Sequence, residues 1–160
     1  MTVKRVLTAT VFCLGQATVP VLAGVDLTAA ETCMAQQIAS GQNPALCLDT
    51  AHADCLLSPA DAPAVATLCF TEARKAWDAG IAAEMARIRD NAPEKIAAIA
   101  AIEVKYDLLT GLTQCDRMEE LAKVASEEPA DSIQRQKARC TASSAGLAYL
   151  RLRYRGSDIE

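Results

Sequence analysis

Cys69-Phe70-Thr71-Glu72-Ala73-Arg74-Lys75-Ala76-Trp77-Asp78-Ala79-Gly80-Ile81-Ala82-Ala83-Glu84-Met85-Ala86-Arg87-Ile88 carries the clearest helical periodicity in the chain. Trp77, the only tryptophan, is followed by Ile81, Met85 and Ile88 at intervals of four, four and three residues, and Cys69 and Ala73 extend the same face backwards. This is the 3.6-residue period of a helix with one buried side. Arg74, Lys75, Asp78 and Arg87 fall on the other faces. The stretch predicts a long amphipathic helix whose apolar stripe is a packing face.

Punctuation on both sides of this helix sets its neighbours. Leu57 to Pro63 reads as a loop, so the central helix runs from about Ala64 to Asp90. Asn91-Ala92-Pro93 ends it and starts another. There Ile96, Ile99, Ile102, Tyr106, Leu109 and Leu112 form a second stripe, which adds Ile99, Ile102, Tyr106 and Leu109 to an expected core of Trp77, Ile81, Met85 and Ile88. Gly111 is a weak point within it. Ser126 to Asp131 is an acidic loop, and Asp131 or Ser132 can cap a last helix that carries Ile133, Cys140, Leu147 and Tyr154 and ends before Gly156. Upstream, Thr28 and Glu31 have capping-box spacing and Gly41 provides a stop, giving a first helix from about Ala29 to Ser40. Asn43-Pro44 opens a second that runs to about Leu57. No stretch alternates over strand length. The expectation is a disulfide-stapled, all-α fold: an antiparallel three-helix bundle over residues 61–156, with a helical hairpin over 24–60.

The first residues follow a different pattern. Lys4 and Arg5 precede a mostly apolar run from Val6 to Leu22 that contains no acid, and Val21-Leu22-Ala23 suits a signal peptidase. Residues 1–23 are therefore read as a secretory signal, and 24–160 as a single exported domain, periplasmic or secreted, without a membrane span. Without Lys4 and Arg5, 14 basic residues face 20 acidic ones, a formal charge of −6. A basic footprint for nucleic acid is absent. Export also removes Cys13, leaving six cysteines, Cys33, Cys47, Cys55, Cys69, Cys115 and Cys140. An even count in a small exported chain points to three disulfides. With few aromatics and much alanine in the core, each bridge would add roughly 3 kcal/mol by restricting the unfolded chain.

Hairpin symmetry narrows the pairing. Cys69 and Cys115 are equidistant from Asn91-Ala92-Pro93, and Cys115 and Cys140 are nearly so from the acidic loop, so Cys115 can reach either neighbour. Cys47 and Cys55 would lie about 12 Å apart on one straight helix, too far to bond. Cys33 can meet either of them across the Gly41 turn.

Chemical motifs are scarce. His52, the only histidine, lies between Cys47 and Cys55, but without a Cys-x-x-Cys pair and in an oxidising compartment no metal site is expected. No nucleophile elbow or phosphate-binding glycine loop is present. Glu72, Asp78 and Glu84 place carboxylates along the central helix, where pairing with Arg74, Lys75 or Arg87 is expected rather than catalysis. Arg151, Arg153 and Arg155 sit where cations complement a helix C-terminus. Neither a catalytic residue nor a cofactor is expected.

The order of these features, with Cys69-x-x-Glu72-x-x-x-x-Trp77-Asp78-x-x-Ile81, Cys115 at a helix end and Cys140 within the last helix, resembles the exported bacterial LprI-like lysozyme-inhibitor family. The resemblance covers most of Cys47 to Leu152, with Ile81-Ala82 and Met85 where members often have Leu-Asn and Tyr. It implies a Cys115–Cys140 bridge, which leaves Cys69 for Cys47 or Cys55. It also implies a function: an exported, non-catalytic binding protein that inhibits lysozyme-type muramidases. Lysozymes are commonly basic, so an acidic partner would gain from electrostatic steering. The loops would supply the contacts, through Ser58, Asp61, Glu127, Glu128 and Asp131. The alternative is an envelope interaction or assembly module with another partner, which an exposed apolar patch on the N-terminal hairpin would favour. The sequence leaves the oligomeric state open.

Overall fold

A computed structural model describes residues 25–156, so the signal reading of residues 1–23 lies outside the described residues. Six α-helices follow in order: α1 (Leu27–Ala39), α2 (Cys47–Ala51), α3 (Ala53–Leu56), α4 (Pro63–Asn91), α5 (Glu94–Ala125) and α6 (Ala130–Gly156), with a 3-10 turn at Pro44–Leu46 before α2. Among the described residues there is no strand, and the fold is all-α and disulfide-linked. Short connections make α5 antiparallel to both α4 and α6, so α4 and α6 run parallel. α6 packs along both long neighbours, while α1 to α3 close over the other side of the α4–α6 pair.

The core forms where small residues of α6 meet large residues of α4. Trp77 is fully buried, with Phe70, Ile81 and Ile88 buried along the same helix and Met85 half-buried. They pack on an α6 face of Ala142, Ala145, Gly146, Ala148, Tyr149 and Leu152. Gly146 is one point of close approach: a Cβ there would lie 2.4 Å from Leu48 Cδ2 on α2 and 3.0 Å from the Trp77 ring on α4. A side chain at that position would displace the end of Leu48 and crowd the indole.

The second stripe turns the other way. Ile99, Ile102, Tyr106 and Leu109, expected in the core, are 44%, 57%, 56% and 53% exposed. The buried face of α5 is instead Ala97, Ala100, Val104 and Cys115, with Leu108 packed against the core and Gly111 on the same side. Two contacts fix this rotation. The Cys115–Cys140 bridge holds the α5 and α6 backbones 5.7 Å apart at Cα. Gly111 lies against Ser144, where a Cβ would come within 2.8 Å. Helices this close accept only small side chains between them, so the isoleucines and Tyr106 point outward. Gly111 is thus the contact point of two helices as well as a propensity defect.

The N-terminal segment departs from the expected two-helix hairpin. α1 begins a residue before Thr28, because Asp26 caps it by accepting from the Ala29 N–H at 3.1 Å. Glu31 therefore takes no part in a capping box and faces α6. Gly41, at φ +68°, ends α1, and the Gln42 N–H reaches the Gln37 carbonyl at 2.8 Å. Asn43 caps the 3-10 turn, with Pro44 in its first position. The continuous second helix is broken at His52. The break lets Cys47 bond Cys33 on α1 while Cys55 bonds Cys69 on α4, with Cα separations of 5.8 and 5.4 Å. α6 starts at Ala130, slightly earlier than expected, and Asp131 lies in its first turn.

Candidate interaction surface

Both loops expected to carry a contact surface lie at one end of the bundle, because α4 starts, α5 ends and α6 starts there. Asp61, Glu127, Glu128 and Asp131 are exposed and Ser58 is half-buried. Glu128 accepts from Gln136, and the Asp131 carboxylate accepts from the Ser132 N–H at 2.8 Å. Around them stand exposed apolar side chains: Leu57, Val65 and Leu68 near the first loop, Leu121 and Val124 before the second. The same end holds an ion-pair cluster at Glu119. Its carboxylate accepts from Lys123, Lys137 and Gln134, which together hold its pKa down at about 2 despite the opposing effect of partial desolvation. The surface combines acidic groups with separate apolar projections on a base tied by Cys55–Cys69 and Cys115–Cys140.

The other singled-out side chains are engaged inside the fold. Glu72 pairs with Lys75 at 2.8 Å and Asp78 with Arg74 at 2.9 Å, both on exposed turns of α4. Glu84 is different, only 5% exposed. Burial alone would raise its pKa, but hydrogen bonds from Arg87 and Arg153, each at 2.8 Å, more than reverse this and hold the carboxyl below its usual range. The arginine run at the end of α6 is a three-way clamp. Arg151 reaches Asp107 and Arg155 reaches Glu103, both on α5. Arg153, two residues from each, faces the other side and joins Glu84 on α4 to Glu31 on α1. Tyr149 also donates to Glu31; burial first, and then this carboxylate, raise the phenol pKa.

His52 is buried beside Trp77, whose indole Nε1–H donates to His52 Nε2 at 3.0 Å. The imidazole is therefore neutral, with the accepting nitrogen fixed by the indole. Phe70 meets the imidazole edge-on at a 5.6 Å centroid distance, and Tyr149 lies 5.5 Å from the Trp77 ring. Burial pulls the His52 pKa down from 6.5 to about 4, although Asp49 opposes the shift. The sign follows: the folded state resists protonation, so His52 contributes full stability above pH 6.5 and loses it as pH falls towards 4. The loss across that window is about 3 kcal/mol. Denaturant titrations at pH 7 and pH 5 should show the first part of it, where carboxylates contribute little, and His52→Asn should flatten the difference.

Among the described residues no group of three His, Cys, Asp or Glu side chains could hold a metal ion. An open cleft of about 550 Å³ beside the Gly41 turn is lined by Ile38, Pro44, Ala45, Leu147, Leu150 and Tyr154, with Arg151 at its margin already bound to Asp107. It brings no acid–base pair together. Sequence reasoning missed the Trp77–His52 bond and the burial of Glu84. The lone histidine, held between two cysteines near the lone tryptophan's partners, was the only signal for the first. Glu84 does fall near the Trp77–Ile81–Ile88 stripe, which was the signal for the second.

Fold and surface together define a class: an all-α, disulfide-linked helical protein. No helix among the described residues is long and apolar enough to cross a membrane. Disulfides of this kind persist in the periplasm or outside the cell. No protein family, curated protein or solved structure matches the chain.

Proposed function

We propose that the chain is an exported, non-catalytic binding protein that blocks a basic, lysozyme-type muramidase. The observation that carries this reading is the convergence of two loops, residues 57–63 and 126–131, at one end of a disulfide-tied bundle. Asp61, Glu127, Glu128 and Asp131 give that end negative charge, and Leu57 and Val124 project from it. A cationic enzyme would be steered to such an end by charge and held by apolar contact. The resemblance to LprI-like inhibitors supports the same target.

The test is a cell-wall lysis assay in which the oxidised protein is titrated against several lysozyme types at low and moderate salt. Saturable inhibition is expected, weaker at higher salt, lost on reduction, and reduced at least tenfold in Asp61→Asn/Glu127→Gln/Glu128→Gln/Asp131→Asn. Full lysis with every type would overturn the inhibitor reading.

A second reading has its own support. Ile38, Leu46, Leu56 and Leu57, all in the N-terminal segment, are exposed. They favour an envelope interaction or assembly module with another partner. Its mark would be retention of an envelope protein on immobilised chain, diminished by Leu46→Glu/Leu57→Glu, together with inactivity in the lysis assay.

A further inference from the structure

Among the described residues, the outer face of α5 carries the longest run of exposed large apolar side chains. Lys95, Ile99, Ile102, Tyr106, Leu109, Thr113, Asp116 and Glu120 follow one another at alternating intervals of four and three residues. That alternation is the heptad seam by which one helix packs along another. On a helical projection the seam lies about 180° from the buried Ala97, Ala100, Val104 and Cys115. Apart from Asp116, whose carboxylate pairs with Lys137 on α6, the seam is used independently of the face that binds α6.

We propose that this seam pairs with the same seam of a second copy of the chain, antiparallel about a twofold axis. Charge selects both the occupant and the orientation. The seam is basic at its N-terminal end, at Lys95, and acidic at its C-terminal end, at Glu120, and among the described residues neither has an ion-pair partner. A parallel pair sets Lys95 beside Lys95 and Glu120 beside Glu120. An antiparallel pair sets Lys95 opposite Glu120 twice, with Tyr106 beside Leu109 of the second copy at the axis, Ile102 beside Thr113, and Ile99 beside Asp116, whose carboxylate is engaged by Lys137 of its own chain. A self-complementary patch of this kind closes into a dimer and goes no further.

The area available is modest. The half-exposed Ile99, Ile102, Tyr106 and Leu109, with the stems of Lys95, Thr113 and Glu120, offer on the order of 600 Å² per copy. The total of about 1,200 Å² is at the lower bound for a stable interface, which fits a weak, reversible dimer. The contact loops at the far end of α5 stay open, and each dimer presents them at opposite ends.

Sedimentation equilibrium of the oxidised chain, from low to several hundred micromolar, is the test. A monomer–dimer equilibrium is expected. Ile102→Asp should weaken it at least tenfold without lowering the melting temperature of the monomer, since the position is solvent-exposed. Lys95→Glu should also weaken it, and Lys95→Glu/Glu120→Lys should restore it. A chain that stays monomeric throughout, or a dimer indifferent to Ile102→Asp, overturns the proposal. A dimer that loses to Ile102→Asp but ignores the charge exchange overturns the antiparallel arrangement. None of these outcomes depends on lysozyme inhibition.

Discussion

Trp77→Ala is expected to lower the unfolding free energy by about 4 kcal/mol, measured by urea denaturation followed by circular dichroism. The indole is fully buried between α6 at Gly146, the Tyr149 ring and His52. Gly146 cannot close the gap, because its backbone is held by the rest of α6, so most of the cavity remains. The deletion also strands the His52 acceptor nitrogen. A double-mutant cycle separates the two effects: Trp77→Ala, His52→Ala and the pair should show a coupling of about 1–2 kcal/mol, the combined cost falling short of the sum. Trp77→Phe refines this by keeping an aromatic ring while removing the N–H and part of the indole, for a loss of about 2 kcal/mol. A coupling near zero would mean that the Trp77–His52 hydrogen bond adds nothing to the packing of two large rings.

That site also shows how far the sequence could be read. The Trp77–Ile81–Ile88 face was legible because its residues are both large and periodic, and size and period agreed. On α5 they disagreed. The large residues at 99, 102, 106 and 109 have helical spacing, but so do the smaller ones at 97, 100, 104, 111 and 115. Hydrophobicity favours the first set and the helix–helix distance imposed by Cys115–Cys140 and Gly111–Ser144 favours the second. A stripe that included the cysteine would have pointed to the buried side. Cysteine spacing excluded Cys47–Cys55 but left Cys33 open, since the choice turned on the chain break at His52. Break and pairing are tertiary: His52 leaves the helix to meet Trp77, 25 residues away. The charged contacts were hidden for the same reason. Arg151 and Arg155 find α5 while Arg153 finds α4 and α1, and no local rule assigns partners across three helices. Of the candidate surface, the loop positions and their acids can be read from the sequence, and their common end follows from helix direction alone.

Removing both arginines from Glu84 is expected to have the second large effect. In Arg87→Met/Arg153→Met the carboxylate stays buried and loses both its hydrogen-bonding cations, at a cost of about 4 kcal/mol at pH 7. Either single substitution should cost less than half of that, because the remaining guanidinium still holds one edge of the carboxylate. The wild-type network is itself imperfect: Arg153 Nε is buried without an acceptor. Adding Glu84→Gln to the double variant removes the stranded charge and should recover most of the loss. The pH dependence gives a reading that packing loss alone would not. In the wild type the Glu84 pKa is depressed, so its contribution is present at neutral pH and is lost as pH falls through the folded value. In the double variant burial acts without opposition, the folded pKa rises above the unfolded one, and the penalty is relieved as pH falls. The stability gap between wild type and double variant should therefore narrow from pH 7 to pH 5. A gap that stays constant over that interval would assign the cost to lost arginine packing on α4 and α6 and not to a buried charge.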